Sequence, residues 1–360
     1  MYGMTGVPMK TQKSLSMFQI ASAYIGTVVG AGFASGQEVL QFFSSYGLNG
    51  LWGMLISSLL FFFIGYSILM LGRNLNARSH VDIVRHTNGD LLGTLIDIVI
   101  TVFMFGGLAA MLAGAGAIIS EQFGAAPIWG VAAMAAAALV TVVTGTQGVI
   151  NAISFVVPFL IFSVLYISIT SLLKNPITQA EIDTAGTLGG ATPHWLLSAV
   201  NYASYNIMIS IGILTTMGAA TTSKKKLFWG ALLGALGLVI SMAAIFLGMV
   251  TNINDVSDKE VPMIEIANDI SFAVRTLFAV VLFAEVYTTA VGNLFGLVQR
   301  ISYRLPRWLF AAAATALAFA VAQLGFSNMV KYLYPAVGYG GMLFFGGVAY
   351  VWIKKRNSVR

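Results

Sequence analysis

Long apolar stretches separated by short polar ones occupy the chain from residue 15 to residue 353, and their lengths suit a bilayer. A helix rises about 1.5 Å per residue, so about 20 apolar residues cross the hydrocarbon. Ten stretches qualify: Leu15–Tyr46, Leu51–Leu71, Leu91–Ser120, Ile128–Val143, Val149–Leu173, Trp195–Gly218, Leu227–Thr251, Ile270–Val298, Leu309–Phe326 and Val330–Ile353. The polar stretch Arg73–Asp90 divides the second from the third, and Lys174–His194 divides the fifth from the sixth. The pattern predicts an all-α integral membrane protein with about ten transmembrane helices.

Composition agrees. Of 360 residues, 58% are hydrophobic and 9% charged, against about 25% charged in soluble domains. The mean hydropathy of +0.85 makes the apolar excess general rather than confined to one anchor. An ordinary soluble enzyme, a disordered regulator and a nucleic-acid binder are excluded. There is no cysteine, so disulfides and thiolate sites are excluded too. Residues 1–8 (MYGMTGVP) read as an expression scar ahead of Met9-Lys10, and no cleavable signal peptide follows.

The net charge of +6 gains meaning from its distribution. With the N-terminus inside, the cytoplasmic segments hold Lys10, Lys13, Arg73, Arg78, Arg85, Lys224, Lys225, Lys226, Arg300, Arg304, Arg307, Lys354, Lys355, Arg356 and Arg360, fifteen of the nineteen basic residues. Lys174, Lys259, Arg275 and Lys331 fall outside, among Glu121, Glu181, Asp183, Asp255, Asp258 and Glu260. This is the positive-inside bias of an inner-membrane protein with both termini in the cytoplasm. Every even-numbered span returns to a basic loop or tail except at the turn Gly145–Gly148.

Five spans lie on each side of the midpoint. An odd number per half puts the halves in opposite orientations, which an inverted repeat requires. The expected organisation is a first repeat over 9–173, an outer connecting loop over 174–194, and a second repeat with its cytoplasmic tail over 195–360.

Two spans look interrupted. The first carries Gly26, Gly30, Gly32 and Gly36 within eleven residues, followed by Gln37-Glu38. Glycine lets backbone approach a ligand, and irregular backbone at membrane depth needs a protein-lined or wet cavity. The same glycines also form small-xxx-small pairs that pack helices closely. The polar run Ser35-Gly36-Gln37-Glu38 favours the cavity. The sixth span, first of the second half, contains Tyr202, Tyr205, Asn206, Ser210 and Gly212. Hydrogen bonding to neighbouring helices would explain Asn206 and Ser210 singly. Interruptions at matching positions of two halves point instead to a transporter site.

The eighth span holds Glu285, Thr288 and Thr289. A carboxylate at mid-membrane costs at least about 2.5 kcal/mol, which makes Glu285 a functional candidate. The threonines offer hard oxygen ligands, or they bond back to their own helix. Glu38 and Glu285 are candidates for a gate or a proton site. Asp97 reads as an interfacial acid, and Arg275 as the ion-pair partner of Glu265 or Asp269. His80, His86 and His194 have no metal-ligand spacing. No HExxH, GxSxG or cluster of His with acids suggests an enzyme.

Ten spans in a five-plus-five repeat with breaks in helices 1 and 6 resemble the LeuT fold of the amino acid–polyamine–organocation superfamily. More narrowly, Val29-Gly-Ala-Gly-Phe-Ala-Ser-Gly-Gln-Glu38 resembles the YkvI-type family of bacterial membrane proteins. The resemblance implies that Thr27, Gly30, Ala31 and Gly32 line a substrate with Tyr205, Asn206, Ile209 and Ser210. It implies a Na⁺ site made of the Gly26 and Val29 carbonyls with the Thr288 and Thr289 hydroxyls. It departs at Glu285, where a small residue is usual and a proton role becomes open, and the fifth span has no lysine to replace a sodium charge. The expected function is alternating-access transport of a small organic solute, an amino acid or related amine, coupled to Na⁺ and needing no other cofactor. A proton-coupled transporter and a non-transporting membrane ligand sensor are the alternatives. The lipid bilayer is the one macroscopic partner implied; the sequence is silent on oligomeric state.

Overall fold

The computed structural model describes residues 15–77, 79–144, 147–301 and 306–357. The Met1–Pro8 segment, Lys10, Lys13, Arg78, Arg304 and Arg360 lie outside the described residues, among which there is no strand. The first apolar stretch is three short helices, α1 (Met17–Val28), α2 (Ala31–Ala34) and α3 (Gln37–Phe42), ending in a 3₁₀ turn at Ser44–Tyr46. Then come α4 (Leu48–Leu75), α5 (His80–Phe123), α6 (Pro127–Thr144), α7 (Gln147–Lys174), α8 (Gln179–Thr187), α9 (Trp195–Ala219) and α10 (Lys224–Thr251). The short α11 (Ile253–Val256) and α12 (Pro262–Ile270) precede α13 (Phe272–Ile301), α14 (Arg307–Ala322) and α15 (Phe326–Asn328). A π-helical turn at Met329–Leu333 leads into α16 (Tyr334–Asn357).

Each of the ten expected stretches is helical over most of its length. Five helices among the described residues are individually long and apolar enough to cross a membrane: α4, α5, α9, α10 and α13 to Val298. A sixth span is available if α14 and the helix after it, bent by 99°, count as one. The apolar helices Met17–Val28, Pro127–Val143 and Pro158–Lys174 are shorter, the first because of the break that follows it.

Two connections are more ordered than the sequence implied. The stretch 73–90 is helical from His80, where Ser79 and Asp82 form a capping box. Gly89 then kinks the helix at φ 74, a left-handed value that glycine takes without strain. The 174–194 segment holds α8, opened by a second capping box between Thr178 and Glu181.

The elements are tied together chiefly through α9, whose polar side chains reach backbone on its neighbours. Ser198 Oγ donates to the Phe42 carbonyl at 2.8 Å, Asn201 to Pro335 at 2.9 Å and Ser204 to Gly338 at 2.8 Å. Ser57 of α4 donates to the Ala199 carbonyl at 2.9 Å. In an apolar medium these satisfied groups hold helices together where hydrophobic burial contributes little.

At one end of the bundle Asp97 Oδ1 meets Arg300 Nη1 at 2.9 Å and His80 Nε2 at 3.1 Å, tying α5 to α13. The Asp97 side chain is 41% exposed, as an interfacial acid should be. At the opposite end Arg275 pairs with neither Glu265 nor Asp269, contrary to expectation. It donates to Asn268 Oδ1 at 3.1 Å and to the backbone carbonyls of Glu121 and Gln122. Those carbonyls close α5, lack helical donors and carry the negative end of the helix dipole, which suits a guanidinium.

Candidate functional site

The break in the first span comes from its backbone. Val29 caps α1 at φ −75, ψ 96, and Gly30 is extended at φ −115, ψ −172. Helical bonding resumes only with the Ala34 amide to the Gly30 carbonyl and the Ser35 amide to the Ala31 carbonyl. The final carbonyls of α1 are left without helical donors at membrane depth. A second interruption follows at Gly36, φ +87, in the left-handed region.

The glycines separate the two readings of this segment. A Cβ at Gly30 would meet nothing within 4 Å, so Gly30 is not a helix-packing contact. It faces open space. Gly32 differs: a Cβ there would collide with the Glu38 carboxyl. The turn at Gly36 folds α3 back so that Glu38 lies beside the break.

That open space is a cavity of about 90 Å³, lined by residues 26–31, Glu38, Phe103, Gly107, Met111, Asn206, Ile209, Glu285, Thr289, Asn293 and Tyr334. Segments distant in sequence meet here: the break, α3, α5, α9, α13 and the start of α16. Glu38 is 4% exposed and accepts a 2.6 Å hydrogen bond from the Tyr205 hydroxyl. Glu285 is 3% exposed, and its Oε1 accepts from Thr289 at 3.4 Å. Its Oε2 has no partner, and neither has Asn206 Oδ1.

Of the residues expected to touch substrate, Thr27, Gly30, Ala31, Asn206 and Ile209 line this cavity. Gly32, Tyr205 and Ser210 are not among the lining residues. Gly32 packs on Glu38, and Tyr205 acts through its bond to the same carboxyl. Ser210 donates to the Asn206 carbonyl at 2.8 Å. Of the expected ion ligands, Gly26, Val29 and Thr289 line the cavity, whereas Thr288 is buried and donates to the Glu285 carbonyl at 3.0 Å. Both acidic candidates line it.

One expectation fails. The sixth span is not broken: α9 is continuous from Trp195 to Ala219. Asn206 and Ser210 bond back onto their own helix instead of interrupting it. Asn206 Nδ2 donates to the Tyr202 carbonyl at 3.0 Å, four residues earlier, as Ser210 does to Asn206.

Sequence reasoning missed Phe103, Gly107, Met111, Asn293 and Tyr334. Asn293 stands four residues after Thr289, on the same helical face, and that spacing was a usable signal. Gly107 lets Asn293 approach, since a Cβ there would sit 2.8 Å from its Nδ2. Phe103 and Tyr334 carried no local signal; their rings meet 5.7 Å apart only through the tertiary arrangement. No group of three or more His, Asp or Glu among the described residues is arranged to hold a metal.

No family model matches the chain. It is 30% identical over 355 residues to the membrane protein YkvI of Bacillus subtilis, covering 97% of this chain and 99% of that one. It is 23% identical to the protein YyaD of the same organism, covering 87% and 90%. Among solved structures, the inward-facing conformation of Mhp1 aligns with a TM-score of 0.64 at 14% identity, over 94% of this chain and 77% of that one. MhsT in complex with L-phenylalanine aligns with a TM-score of 0.62 at 15% identity, over 92% and 89%. A Na⁺-coupled sialic acid symporter aligns with a TM-score of 0.60 at 14% identity, over 93% and 79%. The fold is the LeuT fold.

Proposed function

Given that the chain belongs to the YkvI family of bacterial membrane proteins, we propose that it is a secondary transporter of a small organic solute, an amino acid or related amine, working by alternating access with Na⁺ coupling. The observation that carries this reading is the cavity at the break in the first span. There the open backbone of α1 and α2 meets residues from five other elements. Solutes bind at such interruptions in transporters of this architecture. The fold neighbours include a Na⁺-coupled symporter and a structure holding L-phenylalanine, consistent with transport and not with enzymatic chemistry.

Sodium is favoured because hard oxygens suit a hard cation. Gly26, Val29 and Thr289 line one cavity, and the α1 carbonyls there lack helical donors. Thr288 completes the set in this reading once its hydroxyl turns from the Glu285 carbonyl. Proton coupling is the second reading, and Glu285 favours it: a buried carboxyl with one oxygen unpartnered is a proton acceptor as well as an ion ligand.

In this reading the positive-inside bias puts both termini in the cytoplasm. Gly26, Thr27 and Gly30 are partly exposed, whereas residues 31–40 are all buried. In that orientation the cavity opens inward. Next to Glu38, Gln37 donates to the Lys259 carbonyl at 2.7 Å and to Ser327 Oγ at 2.5 Å, and in this reading these bonds hold the outer side shut. Alternating access would break these bonds and re-form others near Asp97 and Arg300. The two five-helix halves, 9–173 and 195–360, supply the inverted repeat on which that motion turns.

Uptake of labelled amino acids and amines into proteoliposomes, with sodium and proton gradients imposed separately, tests the proposal. Sodium-driven accumulation is expected. Accumulation driven by a proton gradient alone would transfer the coupling to Glu285. Ligand binding without flux under any gradient would leave a sensor.

A further inference from the structure

The lining of the cavity holds two acids and no base. Glu38 and Glu285 both face it, and among the described residues no Lys, Arg or His does. The polar atoms left without partners there, Glu285 Oε2 and Asn206 Oδ1, are both hydrogen-bond acceptors. Both residues are almost fully buried, at 3% and 1% exposure, so water offers little compensation. The aromatic rings of Phe103 and Tyr334 line the same space, 5.7 Å apart and steeply tilted at 62°. The Tyr205 ring stands behind Tyr334 at 5.2 Å.

Unpaired acceptors call for donors, and buried carboxylates call for a cation. Aromatic faces add attraction for a cation, most when it is desolvated. A substrate carboxylate, by contrast, would meet two further carboxyl groups and no basic side chain among the described lining residues. The volume of about 90 Å³ suits a small solute.

We infer that this cavity selects a small primary ammonium that has no free carboxylate. Its N–H groups bond Glu285 Oε2 and Asn206 Oδ1, and its carbon skeleton lies against Phe103 and Tyr334. Glu38, held by Tyr205 beside Gly32, is the second acid of the lining. This narrows the cargo class within the transport reading above and rests on that reading of the cavity.

The test compares amines with their carboxylated counterparts. Ethylamine, ethanolamine and isobutylamine are titrated against alanine, serine and valine on the purified full-length chain, with thermal unfolding as the readout. Sodium and potassium buffers are used in parallel. At least one amine is expected to bind at least tenfold more tightly than its counterpart, a difference of about 1.4 kcal/mol. Tetramethylammonium, which has no N–H, should bind more weakly than that amine. Glu285→Gln should raise the amine Kd at least tenfold. The inference is overturned if an amino acid binds as well as its amine, if no amine binds, or if manganese alone stabilises the protein. Should Glu285→Gln not fold, the wild-type pairs decide. Counterflow in proteoliposomes separates the two claims. Amine binding without flux removes the transport reading and leaves the selectivity. Flux of alanine, serine or valine in preference to the amines removes the selectivity and leaves transport.

Discussion

The first and sixth spans pose the same problem and solve it differently. Each carries glycine and polar residues in mid-membrane, and each contributes to the same cavity. The first abandons helical geometry at Val29–Gly30 and again at Gly36. The sixth stays helical through all 25 of its residues. The difference lies in where the polar groups sit. In α9 they are side chains that reach carbonyls one turn earlier or on neighbouring elements, so the helix stays intact. In the first span the polar groups offered to the cavity belong to the backbone itself, which only a departure from helix can release. Glycine marks such a departure only when the backbone requires it, as at Gly36, and not where it merely occurs, as at Gly212.

The largest effect on this contrast is expected from Gly36→Ala. Alanine at φ +87 costs about 1–2 kcal/mol, and its Cβ would sit 3.0 Å from both Met249 Sδ and Met263 Cγ. Thermal unfolding in detergent should show the protein clearly destabilised. An unchanged midpoint would mean that the second interruption is not needed to seat Glu38.

A smaller and more specific change is expected from Thr289→Ala, across the cavity from the break. Its hydroxyl makes a single 3.4 Å contact with Glu285, so folding should lose under about 1 kcal/mol. The sodium dependence of ligand stabilisation should weaken several-fold. Intact sodium dependence would remove Thr289 from the ion site.

Ser210→Ala in the unbroken helix should change least, within about 0.5 kcal/mol in stability and without effect on binding, because its hydroxyl is already bonded to the Asn206 carbonyl. Loss of binding in this variant would restore the sixth span to the part its sequence suggested.

Much of the architecture was legible in the pattern of apolar stretches, because crossing a bilayer imposes length and polarity on each segment separately. The cavity was legible in part. Gly30, Asn206, Glu285 and Thr289 stand out as polar or flexible groups where the membrane penalises them. Phe103 and Tyr334 do not, since an aromatic residue in a membrane helix is unremarkable until its neighbours are known. The ion pair expected for Arg275 failed for a related reason: the sequence lists its acidic neighbours but not the carbonyls at the end of α5.

What the sequence determined alone was therefore what the solvent dictates: helices, their approximate limits, the family, and which buried acids need an explanation. The tertiary structure decided what depends on packing. It determined that one glycine-bearing span breaks while the other stays continuous, that Glu38 folds back to Tyr205 (far away in sequence), and that Glu285 meets it in one cavity with no basic side chain among the described lining residues. Lipid acts on each residue through its own polarity. Partners are assigned by geometry, which no single segment contains.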